Sequence, residues 1–238
     1  MSDFVSNNKV FLIVILATVA LLSGGIFLFS KNGTNPQTNT NTVSNNILVP
    51  SGAEETGGLL NNIYQPATPS AKVTLVEFGD YQCPACAAYN SAVVEKVLND
   101  FAGKINFVFR DFAFIGAEST RAAEASYCAA DQNKYWEFHS YLYSHQGSEN
   151  TGTFSDTNLI SFAKNMGLNE KEFSDCLNSG KYAAKVDSSS NDANLAGVTS
   201  TPSFFLDGIK ISPLPASYTD FKALIQNAIK TSASSTTN

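Results

Sequence analysis

The stretch Leu75–Cys86, LVEFGDYQCPAC, decides the reading of this chain, because two hydrophobic patterns of different period meet in it around a pair of cysteines. On its N-terminal side Lys72–Phe78 (KVTLVEF) carries apolar residues on both faces, the pattern of a central buried strand. On its C-terminal side Ala87, Ala88, Val93, Val94, Val97, Leu98 and Phe101 recur with helical periodicity, which predicts a helix. Cys83 and Cys86 therefore fall where a strand hands over to a helix. Pro84 suits the first helical position, since its fixed φ is already helical and its missing N–H would find no partner there.

At a helix N-terminus the unpaired N–H groups and the positive end of the macrodipole stabilise a thiolate, which makes Cys83 the candidate attacking sulfur. Cys86, one turn on, is placed to close a local disulfide with Cys83 or to resolve a mixed one. Two plainer readings compete. A zinc half-site would need a second C-x-x-C or a His pair, and Cys128, Cys176, His139 and His145 have no such spacing, so neither a metal nor another cofactor is expected. An inert structural disulfide is the other, and the strand-then-helix setting favours redox chemistry over it. His139 and His145, without partner motifs, are expected at the surface or on a helix face. Asp80, between strand and motif, reads as a turn or capping residue.

Working outward, Lys104–Arg110 (KINFVFR) is a second apolar strand, so the cysteines lie inside a strand–helix–strand unit of the parallel, right-handed kind. From about 118 to 196 the pattern is helical, with segments around Ala122–Ala130, Tyr135–Tyr143, Asn158–Met166 and Glu170–Leu177, which reads as an all-helical insertion. Ser203–Asp207 and Ile209–Ile211 are short strands about an Asp207-Gly208 turn of hairpin type. A closing helix carries Tyr218, Phe221, Leu224, Ile225 and Ile229, and residues 232–238 read as a frayed tail.

Before the folded domain, taken as 59–231, two segments differ in kind. Val10–Ser30 is uncharged, with 16 of its 21 residues Ala, Val, Leu, Ile or Phe, and is bracketed by Lys9 and Lys31, so residues 1–31 are expected to form a transmembrane anchor. A cleaved signal peptide, followed by secretion, is the alternative, with Ser23 and Gly25 before the cut, although Ile26–Phe29 prolong the apolar run. Residues 32–58, rich in Asn, Thr, Gly and Ser, read as a flexible tether. The net charge of −6 leaves no basic surface for a phosphate backbone, so a nucleic-acid partner is not expected. Four cysteines, an even count, fit an oxidising compartment.

At this point the sequence resembles the DsbA-like branch of the thioredoxin superfamily, from about Val73 to Ile229. The resemblance rests on LVEFGDYQCPAC and, much later, on GVTSTPSFFLDG, Gly197–Gly208, in the family's order. It implies an α/β fold, a thioredoxin fold interrupted by a helical subdomain, here preceded by the transmembrane helix. It also implies that Thr201-Pro202 is a cis-proline loop against the active-site cysteines, with Thr201 offering backbone groups to an extended substrate segment. Glu77 stands where related proteins keep an acidic group beneath the disulfide, able to exchange a proton with Cys86; a strand-end charge reaching solvent is the alternative. The family's strong oxidants carry His where this chain has Ala85, and often Pro where it has Ala113.

Some DsbA-like proteins have a second, structural disulfide at places similar to Cys128 and Cys176; two buried free thiols are the alternative. What the resemblance implies about function is an extracytoplasmic oxidoreductase that passes a disulfide to exported, reduced proteins and is reoxidised by a quinone-linked membrane oxidase. A reductase or isomerase with the same residues and another potential competes with it. So does a non-enzymatic peptide-binding adaptor, which would need neither Cys83 nor Cys86.

Overall fold

A computed structural model describes residues 71–234. Strand β1 (Thr74–Gly79) is central: it pairs in parallel with β2 (Asn106–Asp111) and antiparallel with β3 (Ser203–Leu206), which places Phe109 and Phe204 on either side of Glu77. The short β4 (Ile209–Lys210) completes the order β2-β1-β3-β4. β2 begins later than its apolar pattern suggested, because Lys104 and Ile105 donate backbone hydrogen bonds to Phe101 in a turn through Gly103 at φ 70°. The β3–β4 turn has positive φ at both Asp207 (49°) and Gly208 (81°), as a type I′ hairpin requires.

After the cysteines the chain is helical in three consecutive pieces: α1 (Pro84–Tyr89), a π-helical turn (Asn90–Val94) and α2 (Glu95–Asp100). Their buried face is Cys86, Asn90, Val93, Val94 and Val97. Between β2 and β3 come α3 (Ala117–Ala130), α4 (Tyr135–Ser144), α5 (Asp156–Asn165), α6 (Glu170–Asn178) and α7 (Ala183–Leu195). α7 had no apolar stripe to announce it: only Val186, Ser189 and Ala193 of its largely polar sequence are buried. Its place is set by tertiary contact, since Ala193 joins Val76, Phe78, Val108 and Phe205 on one face of the sheet. There the buried Arg110 is ion-paired with Asp192 and donates to Ser189 Oγ at 3.2 Å.

The opposite face of the sheet carries the larger core, with Leu75, Phe107, Phe109 and Phe204 packed with Cys86, Val93, Val97, Phe138, Phe221 and Ile225. The final helix, α8 (Tyr218–Ser234), runs beyond the expected end of the domain at 231. The tail expected from 232 is thus helical as far as Ser234: Thr231 and Ser234 turn their hydroxyls back onto the carbonyls of Asn227 and Lys230, both at 3.0 Å, which suits these residues to a last helical turn. Cys128 of α3 and Cys176 of α6 are joined by a disulfide, their Cα atoms 5.8 Å apart. The anchor Val10–Ser30 and the tether 32–58 lie outside the described residues, among which no helix is long and apolar enough to cross a membrane.

Candidate active site

The turn between β1 and α1 is built on Asp80. Its backbone carbonyl accepts from Cys83 N at 3.0 Å, and its carboxylate accepts from Gln82 N (2.8 Å), Phe114 N (3.0 Å) and Ile115 N (3.1 Å). The expected turn residue therefore does more than cap: it ties the cysteine turn to the loop after β2, and its burial is offset by those backbone donors. Cys83 is the N-cap of α1, in extended backbone (φ −74°, ψ 115°), with Pro84 at the first helical position.

Both cysteines are free thiols, and they differ sharply. Cys83 keeps 7% of its surface, whereas Cys86 has none. The Cys83 thiol is lowered to about 6, chiefly because the Cys86 thiol hydrogen-bonds to the thiolate, with further help from the Thr201 side chain and the N–H groups of Cys86 and Ala85. Cys86 is pushed strongly upward, first by burial, then by sharing its proton with Cys83 and by the charges of Glu77 and Cys83. One sulfur is thus an accessible thiolate near neutrality, and the other holds its proton.

The Thr201-Pro202 peptide bond is cis and brings the Thr201 carbonyl to 3.4 Å from Cys83 Sγ. Glu77 is wholly buried, and neither carboxylate oxygen has a hydrogen-bond partner. That environment, with the Cys83 charge as a lesser cause, raises its carboxyl to about 8. A strand-end charge reaching solvent is excluded. The sequence residues brought together are thus Glu77, Cys83, Cys86, Thr201 and Pro202, while the Cys128–Cys176 bridge belongs to the helical insertion.

Of the two places expected for His139, surface or helix face, the structure gives the second, on the buried face of α4: with 1% of its surface exposed it is a core residue, Nδ1 3.0 Å from Tyr81 Oη and its ring among Phe109, Tyr135, Trp136 and Tyr143. Burial holds it neutral, near 3. The signal was present in the i±4 spacing to Tyr135 and Tyr143, which puts all three on one face of α4. His145, in contrast, is exposed. Sequence reasoning missed Gln82 and Gln146 altogether. Gln82 donates to Ser119 Oγ and Asn150 Oδ1 and accepts from Asn150 N, whereas Gln146 donates to the carbonyls of Tyr81 and Cys83. No periodicity marks them, since both lie outside helices and strands. Among the described residues no group of three or more His, Cys, Asp or Glu could hold a metal ion.

With this geometry in view, the family model described as Thioredoxin matches residues 68–227. The disulfide bond formation protein D of Bacillus subtilis is 29% identical over 165 residues, which cover 67% of this chain and 74% of that protein. The oxidised crystal structure of BdbD from Bacillus subtilis is 28% identical, with a TM-score of 0.62, and covers 68% of this chain and 90% of that one. A Na(+)/H(+) antiporter, NhaA 1 of Salinispora arenicola, is 34% identical over 140 residues; this chain spans 20% of its length. A thioredoxin sheet with a C-x-x-C at the strand-to-helix turn, matched over these residues and in agreement with the DsbA-like resemblance of its sequence, means that the chain belongs to the thioredoxin family.

Proposed function

We propose that this protein is a thiol-disulfide oxidoreductase that introduces disulfides into exported proteins by dithiol–disulfide exchange at Cys83 and Cys86. The observation that carries the reading is the asymmetry of the two thiols, one reachable and stabilised as a thiolate, the other buried and protonated. In the oxidised enzyme a substrate thiolate attacks Cys83 Sγ, the only one of the two sulfurs with exposed surface; the Cys83–Cys86 bond breaks and the electron pair leaves on Cys86. Glu77, holding a proton near neutrality, supplies it to the departing Cys86 thiolate. A second substrate thiolate then attacks the substrate sulfur of the mixed disulfide and releases Cys83 as a thiolate. The substrate loses two electrons and the enzyme dithiol gains them. Thr201, beside Cys83, offers its backbone to the substrate as an added strand.

The name of the B. subtilis relative, disulfide bond formation protein D, favours the oxidising direction. The stabilised Cys83 thiolate does so on physical grounds, since it lowers the free energy of the reduced enzyme. The Cys128–Cys176 bridge supports an oxidising compartment, and it is this chemistry, not the segment Val10–Ser30 with one Lys on each side, that argues for an anchored domain lying outside the cytoplasm. Turnover then requires reoxidation, a role for a quinone-linked membrane oxidase.

Equilibration of the Cys83–Cys86 couple with glutathione buffers tests the direction. The expected potential lies between about −120 and −230 mV. A value near or below about −270 mV would make the enzyme a reductase. For the topology, release of the full-length chain by alkaline wash, or protection of the domain from protease added to intact cells, would contradict the anchored, outward-facing arrangement.

A further inference from the structure

The cysteine turn is held from one side by its own Asp80 and from the other by a side chain far away in sequence. Gln146, in the loop after α4, directs its single amide nitrogen at two carbonyls of the turn, Tyr81 O at 2.7 Å and Cys83 O at 3.1 Å. Cys83 O also accepts the first helical bond, from Ala87 N at 3.2 Å. The loop that carries Gln146 is itself fixed. Asn150 N donates to Gln82 Oε1 at 2.6 Å, Asn150 Nδ2 donates to Ile115 O at 3.3 Å, and the Glu118 carboxylate accepts from Gly152 N and Phe154 N, both at 2.7 Å.

We propose that Gln146 is a positioning residue for Cys83: the helical insertion, through this one amide, sets the reactivity of the thiol. The inference rests on the redox role proposed for Cys83. Two carbonyls spaced two residues apart and anchored on one nitrogen constrain the Tyr81–Gln82 and Cys83–Pro84 peptide planes. One of those planes joins Cys83 to Pro84, and its direction determines how the N–H groups of Ala85 and Cys86 face the sulfur. Those N–H groups are among the donors that stabilise the thiolate. The amide adds a second effect of the same sign, since its N–H groups bring the positive end of a dipole to the Cys83 backbone. In a chain with Ala85 in the C-x-x-C, with no imidazole within the motif, the insertion supplies a fixed polar group from outside it.

Gln146→Met keeps the length of the side chain and removes the donor. In the reduced protein, the Cys83 pKa followed by thiolate absorbance and by alkylation rate is expected to rise by roughly half a unit to one unit. The potential is expected to fall in step, a tenfold change in the equilibrium corresponding to about 30 mV. Asp156→Asn is the control: it weakens the contact of α5 with Arg121 inside the same insertion and should leave the Cys83 pKa where it is. The wild type gives an independent reading. The side-chain amide signals of Gln146 in a 15N NMR titration should move with the pKa of Cys83, and stop doing so in Cys83→Ser. An unchanged pKa in Gln146→Met, an equal shift in Asp156→Asn, or Gln146 signals indifferent to Cys83 each overturns the proposal. All of these compare variants of the reduced protein, so they stand apart from the absolute potential that tests oxidase against reductase.

Discussion

Cys83 Sγ points at the carbonyl oxygen of Thr201, 3.4 Å away, although 118 residues separate them. The contact joins the two segments on which the sequence resemblance rests. On the function proposed above, Thr201 would hold an extended substrate segment, and the contact would then let substrate binding and thiol attack share one geometry.

The two cysteines should behave unequally when replaced. Cys83→Ser is expected to abolish dithiol oxidation, whereas Cys86→Ser should accumulate mixed disulfides through Cys83, because Cys83 can still attack a disulfide and nothing remains to resolve the product. Non-reducing gels with peptide mapping read the outcome. Full activity in Cys86→Ser would reverse the assignment.

Alkylation of the reduced protein should follow the thiolate of Cys83, reaching half its limiting rate near pH 6. Cys86 should stay unmodified through neutral pH, being wholly buried and protonated. Mass mapping of the first modified cysteine decides it; early labelling of Cys86 contradicts the picture.

Glu77 should make the reduced protein less stable as pH rises. Burial lifts its folded carboxyl to about 8 from a usual 4.5, so between those values the folded protein keeps a proton that the unfolded chain has lost. Stability contributed at low pH is thus lost across that window, by an amount on the order of 3–5 kcal/mol. Glu77→Gln removes the titration, and its stability relative to wild type should climb from pH 5 to pH 8 in denaturant melts. Parallel curves would mean that Glu77 is not buried as a neutral acid.

Asp80→Ala should cost roughly 2–4 kcal/mol, since it strips acceptors from three backbone N–H groups, those of Gln82, Phe114 and Ile115. A loss below about 1 kcal/mol by denaturant unfolding would show that the turn does not depend on it.

Replacing Cys128 and Cys176 together by Ser should lower stability by about 4 kcal/mol, the chain-entropy value for a bridge spanning 48 residues. The redox potential of Cys83 and Cys86 should be unaffected, because the bridge joins α3 to α6 and not the loop that carries Gln146. A shift of that potential by more than about 30 mV, a tenfold change in the equilibrium, would couple the two sites.

The sequence by itself determined the parts whose signal is local. Alternation and run length marked the strand before Cys83, helical period marked the run after it, Pro84 marked where that run begins, and Asp207-Gly208 marked the hairpin, because each depends on neighbours a few residues apart. Tertiary structure decided what depends on partners distant along the chain. Glu77 became a buried acid only once Phe109 and Phe204 flanked it, and His139 became a core residue only once the aromatic side chains of β2 and α4 closed around it. Helix α7, polar in sequence, was placed by β2, and Gln146 acquired a role by reaching two carbonyls more than sixty residues back. The physical reason is the same throughout. Burial, and with it the cost of a charge or an unmet hydrogen bond, belongs to an environment assembled from several segments, whereas periodicity and turn preference belong to the backbone itself.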